Sequence, residues 1–107
     1  MKYEFGDIIL VNIFFTDFSN SKKRPAVVLF EEFDNLVVAG ITSNVRMSGI
    51  SIDKSEGVIK NSVIKTNYLF TVSKSIVIKK LFSLSKLKKK TLCDEVRSKI
   101  CGGFEQK

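Results

Sequence analysis

The strongest evidence for the fold in this sequence is residues 24–42, RPAVVLFEEFDNLVVAGIT. Two apolar runs rich in β-branched residues, Ala26–Phe30 and Leu36–Ile41, lie on either side of the polar segment Glu31–Asn35. Runs of this length and composition are typical of β-strands, and a short polar connection between two of them predicts an antiparallel hairpin. Pro25 begins the first strand, where the hydrogen bond that proline cannot donate costs least.

The same hairpin predicts a contact between Arg24 and Thr42. Each of these residues lies nine positions from Phe33, so a hairpin that is symmetric about Phe33 places them directly opposite each other. Directly opposed residues share a face of the sheet, with Cβ atoms about 4.5–5.5 Å apart. We therefore expect a guanidinium and a hydroxyl side by side at one end of the sheet, whereas a slip of one residue would put them on opposite faces.

Four further segments before residue 82 have the composition of short strands. They are bounded by polar turn residues and comprise Ile8–Phe15, Ile50–Ile52, Val63–Ile64 and Ser75–Leu81. Five to six short strands with no helix between them predict an antiparallel sheet that curls into a small barrel. Several runs are apolar on both faces, which favours further structure packed against the outside of the barrel.

The C-terminal part of the chain changes to helical spacing. Its apolar residues recur at intervals that predict one helix face: Leu84, Leu87, Leu92, Val96 and Ile100. Ser83 or Ser85 supplies the N-cap, and Gly102–Gly103 supplies the stop signal. A chain of 107 residues has room for one core, so we predict a single mainly β domain over residues 1–107, with strands at about 8–81 and a helix at about 84–101.

Composition restricts the chemistry. The chain has 18 Lys and Arg, 11 Asp and Glu and no histidine, for a net charge of +7. This excess favours a polyanion or an acidic protein as partner, although a merely solvated basic surface is an alternative.

Cys93 and Cys101 lie about 12 Å apart along the predicted helix, too far for a disulfide, and they are too few for a zinc site. We expect free thiols, buried or half-buried, in a reducing compartment, with no metal and no cofactor.

No segment has the pattern of a membrane span or a secretory signal. The apolar run Ile8–Phe15 follows Glu4 and Asp7 rather than basic residues. It is also far shorter than the ~20 apolar residues that cross a bilayer. The sequence therefore predicts a cytoplasmic protein with no membrane attachment.

Cationic and hydroxyl-bearing residues surround the predicted Arg24–Thr42 contact. The adjoining segments carry Lys22, Lys23, Ser43, Asn44 and Arg46, and no carboxylate lies among them. A guanidinium binds two phosphate oxygens at once and stays charged at any working pH, so these donors suit a phosphodiester. The alternative is that Arg24 covers the mouth of the barrel and that Thr42 is an ordinary strand-end residue.

Several ordered segments resemble toxins of the MazF/PemK family. They are GDIILV (6–11), FTD (15–17), SKKRPAVVL (21–29), VAGITSN (38–44), SVIK (62–65), LFTV (69–72) and SLS (83–85) before a helix, and together they span roughly residues 5 to 100. The resemblance implies an SH3-like barrel, usually a homodimer, that cleaves single-stranded RNA within short sequences and needs no metal. It also implies an antitoxin protein whose acidic, flexible tail occupies the RNA groove.

The resemblance implies functional residues as well. In the family, the arginine of the RP motif and the threonine that ends the third strand are the principal catalytic pair, and they correspond to Arg24 and Thr42. Where several relatives have Arg and Asp, this chain has Lys65 and Asn67. Lysine keeps the charge but loses the bidentate fork, and asparagine cannot accept a proton. The residues expected to bind RNA are Lys22, Lys23, Phe18, Ser43, Asn44, Arg46, Lys65 and Asn67, with Phe15 and Tyr68 as further candidates for stacking on bases.

The implied reaction is attack by the RNA 2′-hydroxyl on the adjacent phosphorus, which gives a 2′,3′-cyclic phosphate and a 5′-hydroxyl. Because the chain has no histidine, a paired-imidazole scheme is excluded and we expect charge stabilisation by Arg24 to be the largest contribution. Two other functions remain open. One is a non-catalytic RNA-binding barrel of the same family, which Lys65 and Asn67 favour. The other is a CcdB-like gyrase inhibitor, although the C-terminal segment 102–107 does not resemble those proteins.

Overall fold

The computed structural model describes residues 2–14 and 21–105, which form one curled antiparallel sheet followed by a helix. The strands are β1 (Asp7–Phe14), β2 (Ser21–Glu32), β3 (Asn35–Thr42), β4 (Ile50–Ile52), β5 (Ser62–Ser73) and β6 (Val77–Ser83), and the helix is α1 (Lys86–Glu105). Single-turn 3-10 helices occupy Lys54–Glu56 and Lys74–Ile76. The strand order is β4-β5-β3-β2-β1-β6. The predicted fold class, mainly β with five to six strands and a C-terminal helix, is confirmed.

The hairpin of β2 and β3 has a shorter turn than the sequence predicts. Glu32 pairs with Asn35, so the turn consists of Phe33 and Asp34, and Phe33 has a φ of 55°. A β-bulge at Leu29 then shifts the register by one residue. Because of this shift, Ala26 pairs with Gly40, as in a hairpin symmetric about Phe33. The turn and the bulge offset each other, so the predicted register holds at the Ala26–Gly40 pair, where the β2–β3 ladder ends.

The central strands bury side chains on both faces, as their apolar runs predict. One face contributes Ile8, Val27 and Ala39 to a cluster that is covered by Leu92 of α1 and by Leu84, just before the helix. The opposite face contributes a second cluster that includes Ile9, Val11, Ala26, Val28 and Val38. Side chains from β4, at one edge of the sheet, reach the first cluster, and so does Phe82 of β6, at the other edge. The sheet is therefore curled around this cluster.

The bounds of the helix differ from the prediction at both ends. It begins at Lys86, where the Ser85 hydroxyl accepts a hydrogen bond from the Lys88 N–H at 3.2 Å, so Ser85 is the capping serine. It continues to Glu105, so the predicted end near residue 101 is wrong. Gly102–Gly103 lie inside the helix because neither has the positive φ that a terminating glycine adopts.

The apolar face of the helix is also narrower than predicted. Leu92 is fully buried and Val96 packs against the core, whereas Leu87 is 76% exposed and Ile100 is 66% exposed. Leu87 lies five residues before Leu92, which places it about 140° away around the helix axis. Neither Cys93 nor Cys101 is in a disulfide, as predicted, but Cys93 is exposed rather than buried. In the described part of the chain, no helix combines the length and apolarity needed to cross a bilayer.

Asp7 connects the start of β1 to β6. Its carboxylate accepts hydrogen bonds from the Glu4 N–H at 2.9 Å and the Ser83 hydroxyl at 2.7 Å, and it forms a salt bridge with Lys80 at 3.3 Å. Burial raises the pKa of this carboxyl, but the hydrogen bonds and the lysine charge together hold its pKa below the ordinary value. The charged form of Asp7 therefore stabilises the contact between the start of β1 and β6.

Candidate functional site

Arg24 and Thr42 lie in the wall of the same groove. This groove, of about 450 Å³, is also lined by an aromatic pair, and we call it the aromatic groove: Ile13, Arg24, Pro25, Gly40, Ile41, Thr42, Met47, Lys65, Tyr68 and Phe70. Arg24 lies on β2 opposite Val11, and Thr42 is the last residue of β3, opposite Val63. The β2–β3 ladder ends at the Ala26–Gly40 pair, two positions before each of them along its strand. The guanidinium side chain is exposed and the threonine is half-buried.

A series of short-range hydrogen bonds fixes the backbone that leaves Thr42. The Thr42 Oγ1 accepts from the Asn44 N–H at 3.1 Å, and the Asn44 side-chain oxygen accepts from the Arg46 N–H at 3.1 Å. The Asn44 carbonyl accepts from the Met47 N–H at 3.1 Å. A hydroxyl can accept and donate at the same time, so the Thr42 hydroxyl can still donate its hydrogen to a ligand in the groove.

The aromatic wall arises from an irregularity in β5. Ala39 pairs with Leu69 but the next residue of β3, Gly40, pairs with Lys65, so residues 66–68 of β5 bulge out of the ladder. The ring of Tyr68 then lies directly over Gly40, where a Cβ atom would be 2.7 Å from the tyrosine Cδ2. Its centroid is 5.1 Å from that of Phe70, and the two rings are tilted by 36°. The glycine is required for this placement of the tyrosine.

The charges that line the aromatic groove are positive. Arg24 and Lys65 contribute cations, and no carboxylate is among the lining residues that the structure describes. Two carboxylates outside the groove, Glu31 and Asp53, have cationic or hydroxyl partners. A hydrogen bond from Lys74 at 2.8 Å holds the pKa of Glu31 below its ordinary value, and a hydrogen bond from the Ser55 hydroxyl does the same for Asp53. The groove therefore has a positive potential suited to an anionic ligand.

A second groove, of about 290 Å³, adjoins the first. Its walls are mainly aliphatic, and we call it the aliphatic groove: Leu10, Lys23, Arg24, Pro25, Ile41, Ser43, Gly57, Val58, Ile59, Lys60, Ser62 and Leu81. Arg24, Pro25 and Ile41 line both grooves. Arg24 therefore lies on the boundary between them.

The predicted RNA-binding residues are distributed unevenly over these grooves. Lys65 lines the aromatic groove, and Lys23 and Ser43 line the aliphatic groove. Four others are exposed but line neither groove: Lys22, Asn44, Arg46 and Asn67. The predictions for Phe15 and Phe18 fall outside the described residues. Among the described residues, no three His, Cys, Asp or Glu side chains lie close enough to share a metal ion.

Sequence reasoning named Tyr68 as a stacking residue but missed Phe70, Gly40, Ile59 and Lys60. The alternation of Tyr68 and Phe70 in a strand was a usable signal, because residues two apart share a face. The sequence carries no comparable signal for Ile59 and Lys60, which lie in a segment that the composition marks only as a turn.

Solved structures with the same fold include several toxins. The toxin MazF-mt6 of Mycobacterium tuberculosis is 20% identical, with 84% of this chain and 93% of that chain covered and a TM-score of 0.68. A chain of the MazE-MazF structure (Form-II) from Deinococcus radiodurans is 14% identical over 100% of this chain and 99% of that chain, with a TM-score of 0.75. An endoribonuclease from a mycobacterial species, in complex with its cognate antitoxin, is 9% identical over 91% of this chain and 90% of that chain, with a TM-score of 0.66. At these identities the likeness establishes the fold.

The sequence itself identifies the family. A search of curated proteins found no match. The family model described as PemK-like, MazF-like toxin of type II toxin-antitoxin system matches residues 4–101, which include every described residue of both grooves. This chain therefore belongs to the PemK-like, MazF-like family of toxins of type II toxin-antitoxin systems.

Proposed function

We propose that this protein is a metal-independent endoribonuclease toxin that cleaves single-stranded RNA at a phosphate bound between Arg24 and Thr42. The observation that carries the proposal is that these two side chains line one groove together with an aromatic pair and a second cation, without a carboxylate among the described lining residues. Membership of the toxin family supports it, as does the fold shared with a mycobacterial endoribonuclease.

The reaction consists of one substitution at phosphorus. The 2′-oxygen attacks and forms a P–O2′ bond, the P–O5′ bond breaks, and the products are a 2′,3′-cyclic phosphate and a 5′-hydroxyl. The 2′-hydroxyl loses its proton and the leaving 5′-oxygen gains one. DNA lacks the attacking hydroxyl, so the substrate is RNA.

The protein contributes mainly alignment and charge stabilisation. Negative charge grows on the non-bridging oxygens as the 2′-oxygen attacks, and the guanidinium of Arg24 can donate two hydrogen bonds to them. The hydroxyl of Thr42 donates a third. Because the sequence contains no histidine, no imidazole shares the proton transfers.

The aromatic wall of the groove, formed by Tyr68 and Phe70, binds a base of the RNA. The exposed face of Tyr68, backed by Phe70, offers a stacking surface for one base, and Lys65 lies beside it to contact a phosphate. An antitoxin with an acidic segment would compete for the same cations, and the solved neighbour with its cognate antitoxin supports such a partner. We expect the active form to be a homodimer.

The test is cleavage of an RNA library by the purified protein in EDTA, followed by sequencing of the new 5′ ends. Wild type should cut at discrete sequences and leave 5′-hydroxyl ends. Arg24→Ala should cut at least ~10²-fold more slowly, because it loses a transition-state donor. Lys99→Ala, which removes one positive charge from an exposed position of α1 outside both grooves, should cut at the wild-type rate.

Two results would contradict the proposal. If Arg24→Ala cleaves as fast as wild type, the assigned chemistry is wrong. If wild-type protein in excess binds RNA but cuts none, the protein is a non-catalytic RNA-binding member of the family.

A further inference from the structure

The two grooves meet at Arg24, and this arrangement matches the connectivity of RNA. Every internal phosphate of a single strand joins two nucleosides, one on each side. A phosphate bound at Arg24 therefore lies where the aromatic groove and the aliphatic groove meet, because Arg24, Pro25 and Ile41 line both. At about 290 Å³, the aliphatic groove lies near the lower end of the range of small-molecule pockets, about 300–1,000 Å³.

The chemistry of the aliphatic groove suits a nucleotide. Leu10, Val58 and Leu81 form apolar walls that can pack on the faces of a base, and Ser43 offers an exposed hydroxyl to its edges. Lys23 and Lys60 add two cations to that of Arg24, and no carboxylate is among the described lining residues. Apolar walls with cations at the rim complement a flat base that is attached to an anionic phosphate.

The outer wall of this groove belongs to a loop that is held in place by hydrogen bonds. Asp53 caps the short 3-10 helix, accepting from the Ser55 N–H at 3.0 Å, and the Asn61 side-chain oxygen accepts from the Lys54 N–H at 3.1 Å. The Ser62 hydroxyl donates to the Lys60 carbonyl at 2.8 Å. These bonds fix both ends of the segment that carries Ile59 and Lys60.

A close packing contact fixes the middle of the same loop. Gly57 has a φ of 125°, and a Cβ atom there would lie 2.9 Å from the Phe82 ring, so the backbone rests directly on the aromatic side chain. With the loop anchored in this way, the side chain of Ile59 remains 90% exposed. It is therefore preformed to contact a ligand that enters the groove.

From this geometry we infer that the aliphatic groove binds the nucleotide on the opposite side of the scissile phosphate from the nucleotide in the aromatic groove. Ile59 and Lys60 determine which nucleotides are accepted there. The inference rests on the proposed ribonuclease activity and adds a second specificity site to it. Because the two walls differ in chemistry, each side of the cut has its own base preference.

The test compares cleavage profiles on RNA with randomised flanks. Ile59→Ala and Lys60→Ala should each weaken base discrimination about tenfold on one side of the cut and leave the other side unchanged. Tyr68→Ala should weaken base discrimination on the other side of the cut only. Lys54→Ala, which removes a charge from the same loop but outside both grooves, should change neither side. The inference is overturned if Ile59→Ala and Lys60→Ala affect neither side, both sides equally, or the side that Tyr68→Ala affects.

A binding measurement separates this inference from the proposed activity. An RNA oligonucleotide with a single 2′-deoxy substitution at the cleaved position binds but cannot be cut. Its addition should shift the NMR signals of the Ile59 methyl groups, and this shift should weaken in Lys60→Ala but not in Lys54→Ala. If wild type cuts no RNA but the shift is seen, the activity fails and the binding site stands. If the methyl signals do not move, or if Ile59→Ala changes only the oligomeric state, the groove does not bind a nucleotide.

Discussion

Gly40 is the residue on which the aromatic groove most directly depends. The bulge in β5 brings Tyr68 across the backbone of β3, and the ring passes where a Cβ atom at position 40 would be, 2.7 Å from Cδ2. Contacts that short do not occur between carbon atoms in folded proteins, so any larger residue at this position must displace the ring. A backbone position on one strand thus sets the orientation of a side chain on its neighbour.

We predict that Gly40→Ala weakens binding of a non-cleavable single-stranded RNA by about as much as Tyr68→Ala. Loss of one base–aromatic stack costs about 1–3 kcal/mol, which is roughly 5- to 150-fold in affinity. The double variant should bind no more weakly than Tyr68→Ala alone, because both substitutions remove the same contact. Fluorescence anisotropy titrations measure all three, with Gly103→Ala as the glycine control. Wild-type affinity in Gly40→Ala would show that Tyr68 does not stack on a base.

In the β2–β3 hairpin, Arg24 and Thr42 were predicted to lie close together although the predicted hairpin lacked the bulge that the structure contains. Symmetry about Phe33 predicted that Arg24 and Thr42 share a face, and both do line one groove. The turn is nevertheless two residues long, and the bulge at Leu29 restores the register. Composition could not reveal that bulge, because a leucine in an apolar run fits either face of a sheet that is buried on both sides.

For the C-terminal helix, in contrast, a familiar sequence signal predicted the wrong end. The existence of the helix could be predicted from apolar spacing, and its N-cap could be narrowed to Ser83 or Ser85, of which the structure selects Ser85. Its end could not be predicted. A pair of glycines is the common stop signal, yet Gly102–Gly103 keep helical φ values and the helix continues to Glu105. The signal failed because glycine permits a left-handed conformation without requiring it.

This correction leads to a prediction for stability. Gly103→Ala should raise the free energy of unfolding by about 0.5–1 kcal/mol, since alanine loses less entropy in a helix and its Cβ would meet no atom within 4 Å. Gly57→Ala should lower it by about 1–3 kcal/mol, because its φ is positive and the Cβ would collide with Phe82. Denaturant unfolding of the two variants measures both effects. A loss of stability in Gly103→Ala would instead place that glycine in a left-handed cap.

At the scale of the whole molecule, four of the 18 Lys and Arg residues line the two grooves, and four others are paired with carboxylates elsewhere. Lys74, Lys80, Lys88 and Lys90 form salt bridges with carboxylates away from the grooves. Among the cations of the grooves, Arg24 lines both, Lys65 lines the aromatic groove, and Lys23 and Lys60 line the aliphatic groove. The net charge of +7 predicted an anionic partner, but only the fold shows which cations converge.

The convergence predicts the salt dependence of RNA binding. If the four groove cations each contact a phosphate, the slope of log K against log salt concentration should be about −3, from about −0.7 per phosphate for a single strand. Lys60→Ala should make the slope shallower by about 0.7, and Lys54→Ala should leave it unchanged. Titrations of a non-cleavable oligonucleotide across a range of salt concentrations give these slopes. Equal slopes for wild type and Lys60→Ala would show that Lys60 does not contact a phosphate of the bound RNA.

The shared position of Arg24 has a consequence for how such toxins diversify. The two flanking walls come from different parts of the chain, the loop around Ile59 and the bulged section of β5, and neither carries the arginine. If the two grooves bind the nucleotides on either side of the cut as proposed, grafting either segment from a relative would change the base preference on one side and leave the cleavage step intact. New recognition sequences could then arise one flank at a time without an inactive intermediate.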